Sequence, residues 1–210
     1  MIKIEKVSVM NIENAIRGAR NPLNSWDRSD SFYNDEGDYV LGENDISLGH
    51  RLATAGSDHR KFLRQIFVSM DITAPLYWWK EFDTYKVATV ANSTSTMHKI
   101  HSKPFAREDF SCDKMSEVAL AQLDSLIAYL EDARIKFVET KDKQYWHDII
   151  QLLPSSYNQL RTVTMNYETL INIYYARKSH KLNEWHALCD VIKEMPYANE
   201  FILIKENKGE

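Results

Sequence analysis

The stretch LLPSSYNQLRTVTMNYETLINIYYARKSHKLNEW, residues 152–185, decides how the chain is to be read. Pro154 closes an amphipathic helix predicted over about 142–152, because the residue before a proline is pushed out of the helical region. TVTMN then reads as an extended segment that leads into a helix from about 166 to 178. A last helix, NEWHALCDVIKEM, follows over 183–195. Strand and helix signals thus alternate locally without the repeating strand–helix–strand order of a parallel sheet. That predicts an α+β fold with a mixed or antiparallel sheet flanked by helices.

Working back from this stretch, IFVSMDITAP at 66–75 sets Ile66, Val68, Met70 and Ile72 against Phe67, Ser69 and Asp71 and stops at a proline, as a half-buried strand does. Residues 2–10 also alternate, with one slip between Ile4 and Val7, which predicts an edge strand or a strand with a bulge. LYWWKEFDTY after Pro75 is predicted helical over 76–85. Met115, Ala119, Leu123, Leu126, Ile127, Leu130 and Phe137 form the core stripe of a helix over 113–138. Leu48, Leu52 and Ala55 share one face of another, ended by Gly56, and HRKFLRQI at 59–66 is a short helix. NPLNSWDRSDSFYNDEGDYVLGEND, residues 21–45, reads as a long loop of the length that is usually functional or mobile. VATVANSTSTM, 87–97, is a polar run rich in hydroxyl donors. FILIK near the end is a final strand or an apolar tail.

The 210 residues, 44% hydrophobic and 27% charged, predict one domain, 1–210, with a core that needs neither disulfides nor a structural metal. A net charge of −4 with scattered lysines and arginines argues against a nucleic-acid partner, but leaves room for a local basic pocket around one phosphate. Cys112 and Cys189 lack metal-ligand or CxxC spacing, so no metal site is predicted and a reducing cytoplasm is the simplest setting. No signal segment and no membrane span is predicted. No GxGxxG, P-loop, HExxH or GxSxG motif is present, and neither cysteine stands in a Pro-Cys-His context. His147 and His186 are read as helix histidines, and the Trp78–Trp79 and Tyr174–Tyr175 pairs as core or interface aromatics.

From Arg51 onward the order of features resembles the flavin-dependent thymidylate synthases. RLATAGSDHRKFLRQIFVSMDITAP supplies Gly56, His59, Ala74 and Pro75 in the family's order. In the 152–185 stretch, Leu153, Pro154, Arg161, Thr164, Asn166, Leu170, Arg177, His180 and Trp185 stand at nearly the family's spacings. LYWWKEFDTYKVATVANSTSTMH occupies the place of the family signature RHRxxSxNExSxRY and departs from it. The signature's Arg-His-Arg falls on or near Thr84, Tyr85 and Lys86, of which only Lys86 is cationic. Its later positions fall among Thr89, Asn92, Ser93, Thr94, Ser95 and Thr96.

The resemblance implies a homotetramer with FAD and a pyrimidine nucleotide, dUMP, bound where subunits meet. It further implies transfer of a one-carbon unit from methylenetetrahydrofolate to C5 of the base, with a reduced nicotinamide as a further co-substrate. By position, Arg177 is the catalytic candidate against the pyrimidine. Arg161, Lys86, Ser93, Thr94 and Ser95 are the nucleotide-binding candidates, and His59, Tyr85, Asn166 and His180 the flavin-binding ones. A guanidinium suits the first task because it stays charged and presents a planar fork, whereas Lys86 in place of an arginine offers a point charge without that fork. The altered signature leaves a second reading, a non-catalytic member that binds a nucleotide as a sensor or regulatory module.

Overall fold

The computed structural model describes residues 2–204. The fold is α+β, an antiparallel sheet flanked by helices. Its four strands are β1 (Lys3–Met10), β4 (Phe67–Pro75), β6 (Asn158–Asn166) and β5 (Val90–Ser93), in the order β1-β4-β6-β5. The register of the central pair can be followed through its bonds. Thr164 meets Ser69 and Thr162 meets Asp71 through their hydroxyls. Tyr167 N–H donates to the Ile66 carbonyl and Leu76 N–H to the Tyr157 carbonyl. Each step up one strand is a step down the other, so the two strands run antiparallel.

β4 follows its sequence pattern: Val68, Met70, Ile72 and Ala74 are all buried and the residues between them less so. β1 is an edge strand, and its slip falls at Lys6, whose φ of 50° breaks the pleat between Ile4 and Val7. β5 was not predicted as a strand. All four of its residues are exposed, so it has no apolar alternation to read.

By packing, the residues fall into two compact units. The first holds Asp71–Thr84 and Ala91–Thr162. In it α3 (Leu76–Phe82) buries Trp78, Trp79 and Phe82, whose rings meet at 4.9–5.2 Å. The first N–H groups of α3 are satisfied by the carbonyls of Tyr157 and Ser155. The helix stops three residues short of the predicted 85. There the Thr84 hydroxyl bonds the Glu81 carbonyl, 2.7 Å, and draws the chain out of the helix. α4 (Glu117–Thr140) packs on α5 (Lys143–Leu152) over a core that includes Phe105, Phe110, Leu123, Leu130 and Ile149.

The second unit holds Ile4–Met70, Tyr85–Val90 and Val163–Ile204. α6 (Tyr167–Arg177) is its central helix, packed on α7 (Asn183–Lys193) and on the 3-10 helix Arg60–Gln65. The segment 21–45, read as a loop, is tied down here. It follows α1 (Ile12–Arg20), carries the short strands β2 (Phe32–Tyr33) and β3 (Tyr39–Val40), and enters α2 (Glu43–Thr54). Its anchor is Asp45, fully buried, which accepts from Arg20 Nε, Ser29 Oγ and Ser31 Oγ, each at 2.6 Å. Burial works to raise the Asp45 pKa, but the bonds from Ser29, Ser31 and Arg20 outweigh it and hold the carboxyl below its ordinary value.

The face that α2 turns inward is not the one that carries Leu48, Leu52 and Ala55. Asp45, Gly49 and Ala53 are buried, while Ala55 is exposed. Gly49 sits against the Phe201 ring so closely that a Cβ there would lie 2.5 Å from it. After the short helix α8 (Ala198–Phe201), Ile202, Leu203 and Ile204 are buried, which is the docked apolar tail and not a strand; Lys205 lies outside the described residues.

Candidate functional site

The strongest grouping of predicted residues lies in the second unit, where α6 ends. Arg177 occupies the last turn of α6, a place that favours a cation because the unsatisfied carbonyls of a helix terminus point there. Its Nε–H donates to the Tyr85 hydroxyl at 2.9 Å. The guanidinium carbon stands 4.5 Å from the centroid of a Trp185 ring and 5.5 Å from that of Tyr85, both within cation–π range. Tyr85 and Trp185 meet edge to face at 5.9 Å, and His180 approaches Trp185 in the same manner at 6.2 Å. Leu182 N–H donates to His180 Nδ1 at 3.2 Å, so the neutral ring carries its proton on Nε2.

Local folding explains the convergence. Trp185, completely buried in the first turn of α7, forms the floor. His180 N–H bonds the Arg177 carbonyl at 2.9 Å, which folds the 177–180 turn back on the helix end. Tyr85 arrives from the 85–90 segment, which is pinned to α6 where the Thr169 hydroxyl donates to the Val87 carbonyl at 3.2 Å. Ala88 takes φ 54° in the same segment. Lys86, next to Tyr85, is exposed. The cluster therefore offers a cation braced by the Tyr85 phenol and the Trp185 indole, with an imidazole beside the indole, groups that can hold an anion or a planar ring.

The two remaining predicted residues of this unit stand elsewhere. Asn166 is the N-cap of α6, at the opposite end of the helix from Arg177, about 16 Å away for a helix of this length. Its Oδ1 accepts from Thr169 N–H at 2.9 Å and its amide donates to the Arg64 carbonyl at 3.3 Å, which is a capping role. Beside it Glu168 pairs with both Arg60 and Arg64. Burial works to raise the Glu168 pKa, and the hydrogen bonds and charges of the two arginines override it, lowering the pKa. His59 is exposed; its N–H closes the turn onto Gly56, whose φ of 119° suits glycine.

In the first unit Arg161, Thr94 and their neighbours form a second set. Arg161 Nη1 pairs with Asp83 at 2.7 Å, its Nε donates to Gln159 Oε1 at 3.0 Å, and its guanidinium carbon lies 4.2 Å from a Trp79 ring centroid. Gln159 in turn donates to the Thr94 carbonyl at 2.7 Å, and Thr94 N–H donates to the Leu160 carbonyl at 2.9 Å. Ser95 Oγ accepts from the N–H groups of Met97 and His98, capping the turn after β5. Ser93, Thr94 and Ser95 are exposed.

Residue types and spacings do not single out Asp83 and Gln159, the brace of Arg161. Trp185 stands among the residues that carry the family resemblance, but only the packing of α7 makes it the floor under Arg177. Among the described residues no group of His, Cys, Asp and Glu is placed to hold a metal ion, and no helix is long and apolar enough to cross a membrane.

Fold and site together define an α+β protein with an antiparallel sheet and an aromatic-braced arginine at a helix end. Solved structures share that fold over the whole chain. One is Thymidylate Synthase X (ThyX) from Helicobacter pylori with FAD and dUMP, at 17% identity and a TM-score of 0.69, covering 100% of both chains. Another is the flavin-dependent thymidylate synthase ThyX from Helicobacter pylori complexed with FAD and dUMP, at 18% identity and a TM-score of 0.65, covering 94% of this chain and 97% of that one. No protein-family model and no curated protein matches the sequence.

Proposed function

We propose that this chain binds FAD and modifies dUMP, or a related pyrimidine nucleotide, at C5 by transfer of a one-carbon unit. The observation that carries the reading is the Tyr85–Arg177–His180–Trp185 cluster, set in a fold shared with proteins solved with FAD and dUMP. The residues present suit such ligands. Arg177 can meet the carbonyls of a uracil ring, on which negative charge develops as C5 reacts, and Tyr85 and Trp185 hold that cation in place. Tyr85, His180, His59 and Asn166 are proposed around FAD, and Lys86, Arg161, Ser93, Thr94 and Ser95 around the nucleotide phosphate. Bound FAD, reduced by a nicotinamide, would supply the hydride, and methylenetetrahydrofolate would supply the carbon. Assembly as a homotetramer in the cytoplasm belongs to the same reading. So do the exposed apolar side chains of α4, Val118, Tyr129, Ile135 and Val138, as candidates for burial between subunits.

The test is visible spectroscopy of the purified protein with added FAD. Reduced bound flavin that is reoxidised anaerobically only when dUMP and methylenetetrahydrofolate are both present supports the reading, and protein that takes up no flavin contradicts it.

One observation favours a second reading, a nucleotide-binding module without flavin chemistry. The positions of the family's Arg-His-Arg are occupied around Thr84, Tyr85 and Lys86, and the Tyr85 hydroxyl is bonded to Arg177. Calorimetric titration of flavin-free protein with dUMP separates the two: tight binding without flavin uptake favours the module, and no heat with any pyrimidine nucleotide removes it.

A further inference from the structure

We infer that the cavity between α2 and the 20–28 segment is a binding site for a small amphipathic anion, a molecule with one acidic headgroup on an apolar body. The cavity encloses about 590 Å³, within the range of small-molecule sites. It lies in the second unit and shares no residue with the Arg177 cluster.

One wall is a face of α2. Ser47, Leu48, Arg51 and Leu52 recur there at helical spacing, opposite the face that Asp45, Gly49 and Ala53 turn to the core. Leu48 and Leu52, which share one helix face, therefore line an open cavity. Leu23, from the facing segment, is 83% exposed. An apolar body seated between these three side chains would remove their surface from water.

The charge is one-sided. Arg28 and Arg51 both line the cavity, and among the described residues neither is paired with a carboxylate. The acids of the two flanking segments are used elsewhere or stand off. Asp45 is spent on Arg20, Ser29 and Ser31. Asp30 accepts the N–H groups of Asn44 and Asp45 at the start of α2. Asp27 and Glu43 do not line the cavity.

Arg20 adds a buried donor. It is 4% exposed and also lines the cavity. Its Nε bonds Asp45, its Nη1 the Ser25 carbonyl and its Nη2 the Arg28 carbonyl. A guanidinium has five N–H groups, so one on each terminal nitrogen has no partner among the described residues. Unmet donors on a buried cation, two unpaired arginines at the rim and an apolar floor are jointly satisfied by a headgroup with several acceptor oxygens joined to a hydrocarbon body.

The experiment uses two fluorescent probes of one shape on the full chain: 1-anilinonaphthalene-8-sulfonate, and N-phenyl-1-naphthylamine, which lacks the sulfonate. The proposal predicts one saturable site for the anionic probe. Arg28→Gln and Arg51→Gln should each weaken it about tenfold, the loss of one charged hydrogen bond, with little change for the neutral probe and an unchanged melting temperature. A saturable site that the double variant binds as tightly as the parent, or the absence of any saturable anionic site, overturns it.

Discussion

Arg177 is held by the hydroxyl and ring of Tyr85 and by the ring of Trp185, so its direction is fixed before any ligand arrives. A lysine would keep the charge and lose both the planar fork and the stacking. Arg177→Lys should therefore weaken dUMP binding about tenfold, and Arg177→Ala about a hundredfold, the range for one or two charge-assisted hydrogen bonds, measured by calorimetry. Far from that site, Asp45 neutralises a buried arginine. Removing it in Asp45→Ala strands Arg20 and should cost about 3–5 kcal/mol of stability in a denaturant titration. The same residue sets an acid dependence. Its folded pKa lies below the ordinary 3.8, so its contribution is complete above that value and is lost as pH falls from there through the folded pKa. Glu131 and Glu168 are lowered as well. The melting temperature should accordingly fall steeply below about pH 4, and less steeply in Asp45→Asn, which starts lower and has one fewer such carboxylate.

Helix α2 shows how an element can be recognised while its orientation is missed. Its stop near Gly56 follows from the sequence, but it begins at Glu43, inside the stretch read as a loop, and the face toward the core is chosen by Gly49, the residue thin enough for the Phe201 ring to approach. Alanine at 49 would gain up to about 1 kcal/mol of helix propensity. It would also place a methyl 2.5 Å from a fully buried ring that has nowhere to go, and overpacking of that kind costs about 1–3 kcal/mol. Gly49→Ala should therefore be net destabilising, which thermal melting will show. β4, α5 and α7 were legible because each buries a face whose period matches its geometry, while α6, buried on most of its circumference, was legible from its apolar length. β5 and the β2–β3 ribbon were not, since their side chains are largely exposed and backbone pairing alone creates them. The site divides in the same manner. Arg177, His180 and Trp185 stand out through the family resemblance of the 152–185 stretch, whereas the place of Trp185 as the floor depends on how α7 packs against α6.

For the whole molecule, the fold is shared with solved structures at 17–18% identity. A sheet and helix framework tolerates low identity because it asks for pattern and volume, while a reaction asks for particular groups. Assembly gives one check: native mass measurement should find a four-chain species, and replacing Val118 and Ile135 on α4 by glutamate should shift it toward smaller ones. The most direct test of the central claim is the visible spectrum of bound flavin during a single anaerobic turnover. Flavin reduced on the protein should return to its oxidised spectrum on addition of dUMP with methylenetetrahydrofolate, and Arg177→Ala should slow that return at least a hundredfold. A parent protein that acquires no flavin, or whose reduced flavin ignores the nucleotide, would contradict the account.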